Sequence, residues 1–209
     1  MKEISVFKDK AEAIKALDNG GRFYSLLAKA NDGVIDNSEL AKVAGTFGQK
    51  QRMILFLDMA LQGLALEEQE EVINYLSNDL RKTYLRHKSS VVKIEDLKQE
   101  GQLNTNIITI GFPKIIEIKD EFEGFVMAPV VSDKVTTMIM IPLIEQYQVY
   151  ELYDTESDAD FVVTHHGKSE HLPGHKIRIG GVIKEMKLGK NENSSTQRFL
   201  EAHFYSELD

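Results

Sequence analysis

The chain has 209 residues, no cysteine and no tryptophan, with 42% hydrophobic and 28% charged side chains and a formal charge of −8. That is the composition of a globular protein able to bury a core unaided, and it excludes disulfides, a thiolate nucleophile and cysteine-held metals. The negative balance disfavours nucleic acid and anionic membrane as partners, since both demand a positive field.

Asp9 and Glu12 have capping-box spacing, with Asp in place of the usual Ser or Thr, and predict a helix running to Leu17. Asn19-Gly20-Gly21 supplies residues tolerant of positive φ that end it. Phe23, Leu26, Leu27 and Ala30 recur at i, i+3, i+4 and i+7 and predict a second helix, broken at Asp32-Gly33. Asp36 and Glu39 repeat the cap spacing ahead of Leu40, Val43, Ala44 and Phe47. Residues 53–61 are apolar nearly all round, Asp58 excepted, which predicts a buried central helix ended at Gly63. A last helix is predicted over 67–88. Its first turns carry Glu67, Glu68, Glu70 and Glu71 and its last turns Arg81, Lys82, Arg86 and Lys88, an order that complements the helix dipole. Val72, Ile73, Leu76, Leu80 and Tyr84 form its apolar stripe. The first part thus reads as an all-α bundle of five helices.

The turn Asp32-Gly33-Val34-Ile35-Asp36 admits two readings. Set against a calcium loop, Asp32, Gly33, Asp36 and Glu39 fall at positions 5, 6, 9 and 12, but positions 1 and 3 are Ala28 and Ala30, which offer no side-chain oxygen. The other reading is a tight turn in which Gly33 supplies the bend and Asp36 caps the next helix. The missing ligands favour the turn; a weak divalent-cation site at Asp32, Asp36 and Glu39 stays open beside it.

This stretch, from Leu26-Leu27-Ala28-Lys29-Ala30 through Asp32-Gly33-Val34-Ile35-Asp36 to Glu39-Leu40, resembles the signature turn of tellurite-resistance-B-like helical domains, over about residues 9–88. The resemblance implies an all-α bundle and an association with stress-response and membrane-linked complexes. It also implies metal binding by acidic residues, a role that Asp32, Asp36 and Glu39 alone match. The second acidic cluster of such domains is not evident.

From 87 to 106 the sequence turns polar, and 94–100, ended by Gly101, predicts one or two helical turns within a connector. Residues 1–100 carry a net charge of −1 and residues 101–209 a net of −7, with five of the six histidines in the latter. That shift places the expected boundary between a domain 1–100 and a domain 101–209.

Short runs rich in Val, Ile, Thr, Tyr and Phe then predict strands at 107–110, 115–118, 122–131, 136–144, 147–153, 159–164, 175–186 and 199–208, spaced as in a barrel or sandwich. Pro129 and Pro142 belong at edges or bulges. Gly180-Gly181, inside an alternating run, marks a bulge or sharp coil. Gly174-x-x-Ile177-x-Ile179-x-Gly181-x-Ile183 resembles a strand pattern of OB-fold barrels. The expected fold class is therefore α+β, an all-α helical bundle followed by an antiparallel, OB-like β-barrel. OB-folds often bind single strands through aromatic platforms and a basic groove. Phe125, Tyr147, Tyr150 and Tyr153 are at hand, but the charge of this half opposes a phosphate backbone.

Three groups invite chemistry here. His166, Glu170, His171 and His175, next to His165, reach one metal ion if their loop folds back, and imidazole suits zinc, nickel or copper; the alternative is a solvated Gly- and Pro-containing loop. His203 with Glu201 would extend that cluster into an acid–base pocket, against the solvated face of a last strand. Asp154, Glu156, Asp158 and Asp160 imitate half a calcium loop without its glycine, which favours a solvated turn. P-loop, G-x-G-x-x-G and G-x-S-x-G signatures are absent. No run reaches the roughly 18 apolar residues of a membrane span, and the opening stretch lacks a signal-peptide core. The expected protein is soluble and cytoplasmic, a non-enzymatic interaction or stress-associated protein with a protein partner. Two alternatives remain: a metal-dependent enzyme, such as a hydrolase, using a divalent ion in the 165–175 loop, and an OB-type single-strand binder.

Overall fold

Asp9 starts the first helix by accepting the Glu12 N–H at 2.8 Å, and α1 runs Lys10–Leu17. The reciprocal bond of a capping box goes one residue further back, from Lys8 N to Glu12 Oε2. The computed structural model describes residues 1–19, 31–115, 124–132, 135–142, 147–157, 159–166, 170–188 and 196–208, with only the backbone described at 100, 124–132, 135–142, 147, 166 and 186–188. The helix predicted near 23–30 lies outside them. Contacts divide the chain into Glu3–Ser90 and a unit of Val91–Asp209 with Met1–Lys2.

In the first unit, α2 (Asn37–Ala44) opens on a complete capping box of Asp36 and Glu39 and closes on Gly45 at φ 69. α3 (Lys50–Ala60) buries every residue from Met53 to Ala60, Asp58 included, and packs against α2 and α5. A 3-10 turn, Leu61–Gly63, ends it. The single helix predicted over 67–88 is in fact two, α4 (Leu66–Asn74) and α5 (Asn78–His87). The cause is a parallel bridge between Ile35 and Leu76: Ile35 N donates to Tyr75 O and Ser77 N to Ile35 O, each at 2.8 Å. Ser77 then caps α5 by accepting Leu80 N. A long-range backbone pair has overridden a continuous amphipathic pattern.

The boundary falls within the two-residue β2 (Ser90–Val91), and the second unit continues with α6 (Ile94–Glu100), the short connector helix expected before Gly101. Seven longer strands follow: β3 (Asn106–Ile115), β4 (Gly124–Ser132), β5 (Val135–Pro142), β6 (Tyr147–Tyr153), β7 (Asp160–His166), β8 (Ile177–Leu188) and β9 (Thr196–Glu207). A two-residue β1 (Lys2–Glu3) adds to β9. While 116–118 of the strand expected at 115–118 lie outside the described residues, the run expected at 107–110 continues as β3 through Gly111 to Ile115. Gly111 is required there, since a Cβ would meet Ile94 Cδ1 at 2.5 Å and Leu152 Cγ at 2.9 Å.

Strands β3, β6, β7, β9 and β8 pair in that order and β8 returns to β3, closing a five-stranded barrel. All these pairs are antiparallel except β7 with β9. The β4–β5 hairpin extends the sheet from the far end of β8, through Gly124–Val126 against Met186–Leu188. Pro142 thus sits in a strand at the open end of the strand order, as expected. Ile107, Leu152, Phe161, Val163, Ile177, Ile179, Ile183 and Leu200 meet in one buried core, into which α6 inserts Ile94 and Leu97. The barrel is filled by its own side chains.

The bulge falls beside the paired glycines, where Gly180 pairs with Phe204 but Gly181 with Ala202. The extra residue is His203 on the partner strand. Leu200 and Ala202 face the core before it, while Tyr205 packs on the core after it. The residues that face this core therefore shift parity at His203, while the expected alternation of buried Leu200, Ala202 and Phe204 with half-buried Glu201, His203 and Tyr205 holds in burial.

Candidate functional site

The Asp32 turn is built from Asp18, a residue the sequence did not single out. Following α1, its backbone oxygen accepts Asn31 N at 3.1 Å, and its carboxylate accepts Asp32 N at 3.2 Å and Gly33 N at 2.8 Å. Asp18 is 3% exposed. Asn31 at φ 57 and Gly33 at φ 81 turn these N–H groups toward it. Asp32 accepts Val34 N, Asp36 accepts Ser38 N, Ser38 Oγ and Glu39 N, and Glu39 accepts Asp36 N at 2.9 Å. The three carboxylates of the expected cation site thus cap backbone groups. Asp18→Ala strands two N–H groups and is expected to lower the unfolding free energy by about 2 kcal/mol in urea denaturation. Asp32→Ala, on an exposed side chain, is expected to change it by less than about 0.5 kcal/mol. Equal losses would mean that Asp18 does not organise the turn.

The histidines of 165–175 go to different places. His165 is 1% exposed and stacks on the Tyr150 ring with centroids 5.4 Å apart. Tyr150 hydroxyl lies 2.8 Å from Gln148 Oε1, 3.1 Å from Leu172 N and 3.2 Å from His171 Nδ1. It donates to Gln148 Oε1 and accepts the Leu172 N–H, with the His171 ring as its third neighbour. Burial raises the phenol's pKa, the Leu172 N–H holding part of that back. Exposed His175 pairs with Glu207. Glu170 is exposed, and the His166 side chain lies outside the described residues. Among the described residues, no three His, Asp or Glu side chains converge on a metal position. Tyr150, expected as an outward stacking platform, is 2% exposed and belongs to the barrel core instead. Tyr153 is half-buried and stacks on Phe112. The side chains of Phe125 and Tyr147 lie outside the described residues.

The carboxylate run of the β6–β7 turn is also ordered by its own backbone. Asp154 accepts Glu156 N and Ser157 Oγ, each at 3.2 Å, and its N–H donates to Ala159 O at 3.0 Å. Asp160 lies 3.5 Å from Lys98; Asp158 is outside the described residues.

This turn forms one wall of a cleft of about 430 Å³ in the barrel unit. The cleft follows from the pairing of β3, whose residues Phe112–Ile115 bond β6 while Asn106–Gly111 bond β8. Where β3 leaves β6, the segment from Val91 to Glu95 and the β6–β7 turn line the gap between them. Val92, Ile94 and Ile110 supply apolar walls; Lys93, Glu95, Asp154, Glu156 and Lys176 supply charge. Four separate chain segments contribute, so no local motif announces it.

In the helical unit, Asp58 is 8% exposed. Its carboxylate accepts Ser89 N at 2.6 Å and a hydrogen bond from the Tyr84 side chain. Burial pushes its pKa up to about 6, with hydrogen bonds from Ser89 and Tyr84 and the charge of Lys88 offsetting part of the rise.

No family model matches the chain, and none of the curated proteins matches it either. Among the described residues no helix is long and apolar enough to cross a membrane.

Proposed function

We propose that this is a non-enzymatic, cytoplasmic interaction protein whose barrel, of the OB type, engages a protein partner through its outer face. The observation that carries the reading is the closure of the barrel. Numbered along the chain, its strands follow the order first, second, third, fifth, fourth, with only the third and fifth parallel. This order supports the OB reading, since OB barrels are five-stranded Greek-key barrels that bind along the face of their second and third strands and in adjoining loops. The interior is occupied by Leu152, Phe161, Ile179 and their neighbours, which leaves binding to the outside. The tellurite-resistance-B-like reading of the helical unit rests on its turn of Asp32 to Asp36 leading into a capped helix; it adds a stress-associated role.

Affinity capture from cell extract tests the proposal, using the whole chain and a variant with Lys114→Glu and Glu151→Lys. These two residues stand opposite each other on β3 and β6 and are at least partly exposed. A protein retained by the parent and lost by the variant is the expected result. Repeated capture of nothing, with salt-sensitive binding of a single-stranded oligonucleotide, would replace this reading with nucleic-acid binding.

A further inference from the structure

The geometry points to the cleft beside β3 as a binding site for a small zwitterion, an ammonium and a carboxylate on a short aliphatic body, as in a free aliphatic α-amino acid. The cleft's volume of about 430 Å³ falls within the roughly 300–1,000 Å³ of small-molecule sites. Its charges decide the ligand class. Lys93 lies 3.5 Å from Glu95, so these two largely satisfy each other. Among the described residues, Lys176, Asp154 and Glu156 have no ion-pair partner, and all three line the cleft. Lys176 is placed by its ammonium lying 5.8 Å from the Phe112 ring centre, and Asp154 by its bonds to Glu156 N and Ser157 Oγ.

A purely anionic ligand would meet Asp154 and Glu156 with like charge, and a purely cationic one would meet Lys176. A metal ion is poorly served, because these carboxylates do not converge with a third ligand among the described residues. A zwitterion answers both signs at once, its ammonium toward Asp154 and Glu156 and its carboxylate toward Lys176. Its aliphatic body then covers Val92, Ile94 and Ile110. Thr109, 1% exposed, also lines the cleft, and its Oγ1 has no hydrogen-bond partner among the described residues. This site is independent of the partner surface on β3 and β6 proposed above.

Titration of the whole chain with L-leucine, followed through backbone amide resonances, is the test. Saturable shifts at Ile94, Ile110 and Ser157 are expected. L-leucinamide, which lacks the carboxylate, and 4-methylpentanoate, which lacks the ammonium, are each expected to bind about tenfold more weakly, as one charged contact is lost. Lys176→Gln, and separately Glu156→Gln, are expected to weaken leucine by a similar factor with an unchanged melting temperature. Absence of saturable shifts with leucine, equal binding of its amide, or full affinity in both variants would each overturn the assignment.

Discussion

Replacing Gly181 with alanine is expected to lower the stability of the barrel unit by about 3 kcal/mol, the upper part of the range for overpacking, and replacing it with valine by more. A Cβ at Gly181 would stand 2.5 Å from Glu201 O and 2.9 Å from Ala202 Cα. These are backbone atoms of β9, so no side chain can rotate out of the way. They also lie at the bulge where β8 and β9 close the ring, so relief requires the two strands to part. Gly174→Ala is the control, since nothing lies within 4 Å of its added Cβ. At a compatible backbone the same change restricts the unfolded chain and stabilises by roughly 0.4–1 kcal/mol. Urea denaturation followed by circular dichroism compares these variants with the parent. A Gly181→Ala midpoint at or above the parent's would mean that β8 and β9 do not approach at this distance, and the closed ring would fall with it.

The legible parts of this fold are those whose causes are local. Asp9 and Asp36 mark helix starts because a short carboxylate one residue before a helix bonds the free N–H groups of its first turn, and both do so here. The apolar surround of α3 predicts its burial correctly. The strand runs appear at nearly the expected places because β-branched residues and turn residues alternate with a local period.

What fails to read is non-local. The break between α4 and α5 depends on Ile35, about forty residues away along the chain; the apolar stripe through Leu76 carries no trace of it. Ser77 at the head of Asn78-Asp79 is the one local signal of the break, a cap residue within an otherwise helical pattern. The ring order is equally hidden, since partner choice among strands is set by packing of whole faces. Side-chain direction follows from it, which is why Tyr150 points inward and His203 falls at a bulge. The candidate sites divide the same way. Asp32, Asp36 and Glu39 are visible as carboxylates, but what they bind is decided by Asp18 and by helix caps. The cleft needs Lys93, Asp154 and Lys176 from three distant segments, and only pairing of the strands unites them.

Asp58→Asn is expected to remove a pH dependence of about 3 kcal/mol from the helical unit. The carboxyl titrates at about 6 in the fold against an ordinary 3.8, and one pKa unit is worth about 1.4 kcal/mol. The folded pKa is the higher one, so the folded state holds this proton more tightly than the unfolded chain. Its stabilising contribution is complete below 3.8, falls as pH rises toward about 6, and is gone above that. Burial is the cause; Ser89, Tyr84 and Lys88 are the groups that make the charged form tolerable. Burial and the adjacent Asp58 charge in turn hold the Tyr84 phenol protonated, well above its ordinary pKa. Other carboxylates also titrate in this window, but they are common to both proteins and cancel in the difference. The unfolding free energy of the Asp58→Asn variant relative to the parent should therefore rise by about 2 kcal/mol between pH 4 and pH 7, the remainder of the change falling below pH 4. Tyr84→Phe removes one donor to the ionised carboxylate and should push the parent's transition to still higher pH. A pH-independent difference between the parent and the Asp58→Asn variant would mean that the carboxyl is solvated, and that α3 does not anchor the end of α5 through a buried group.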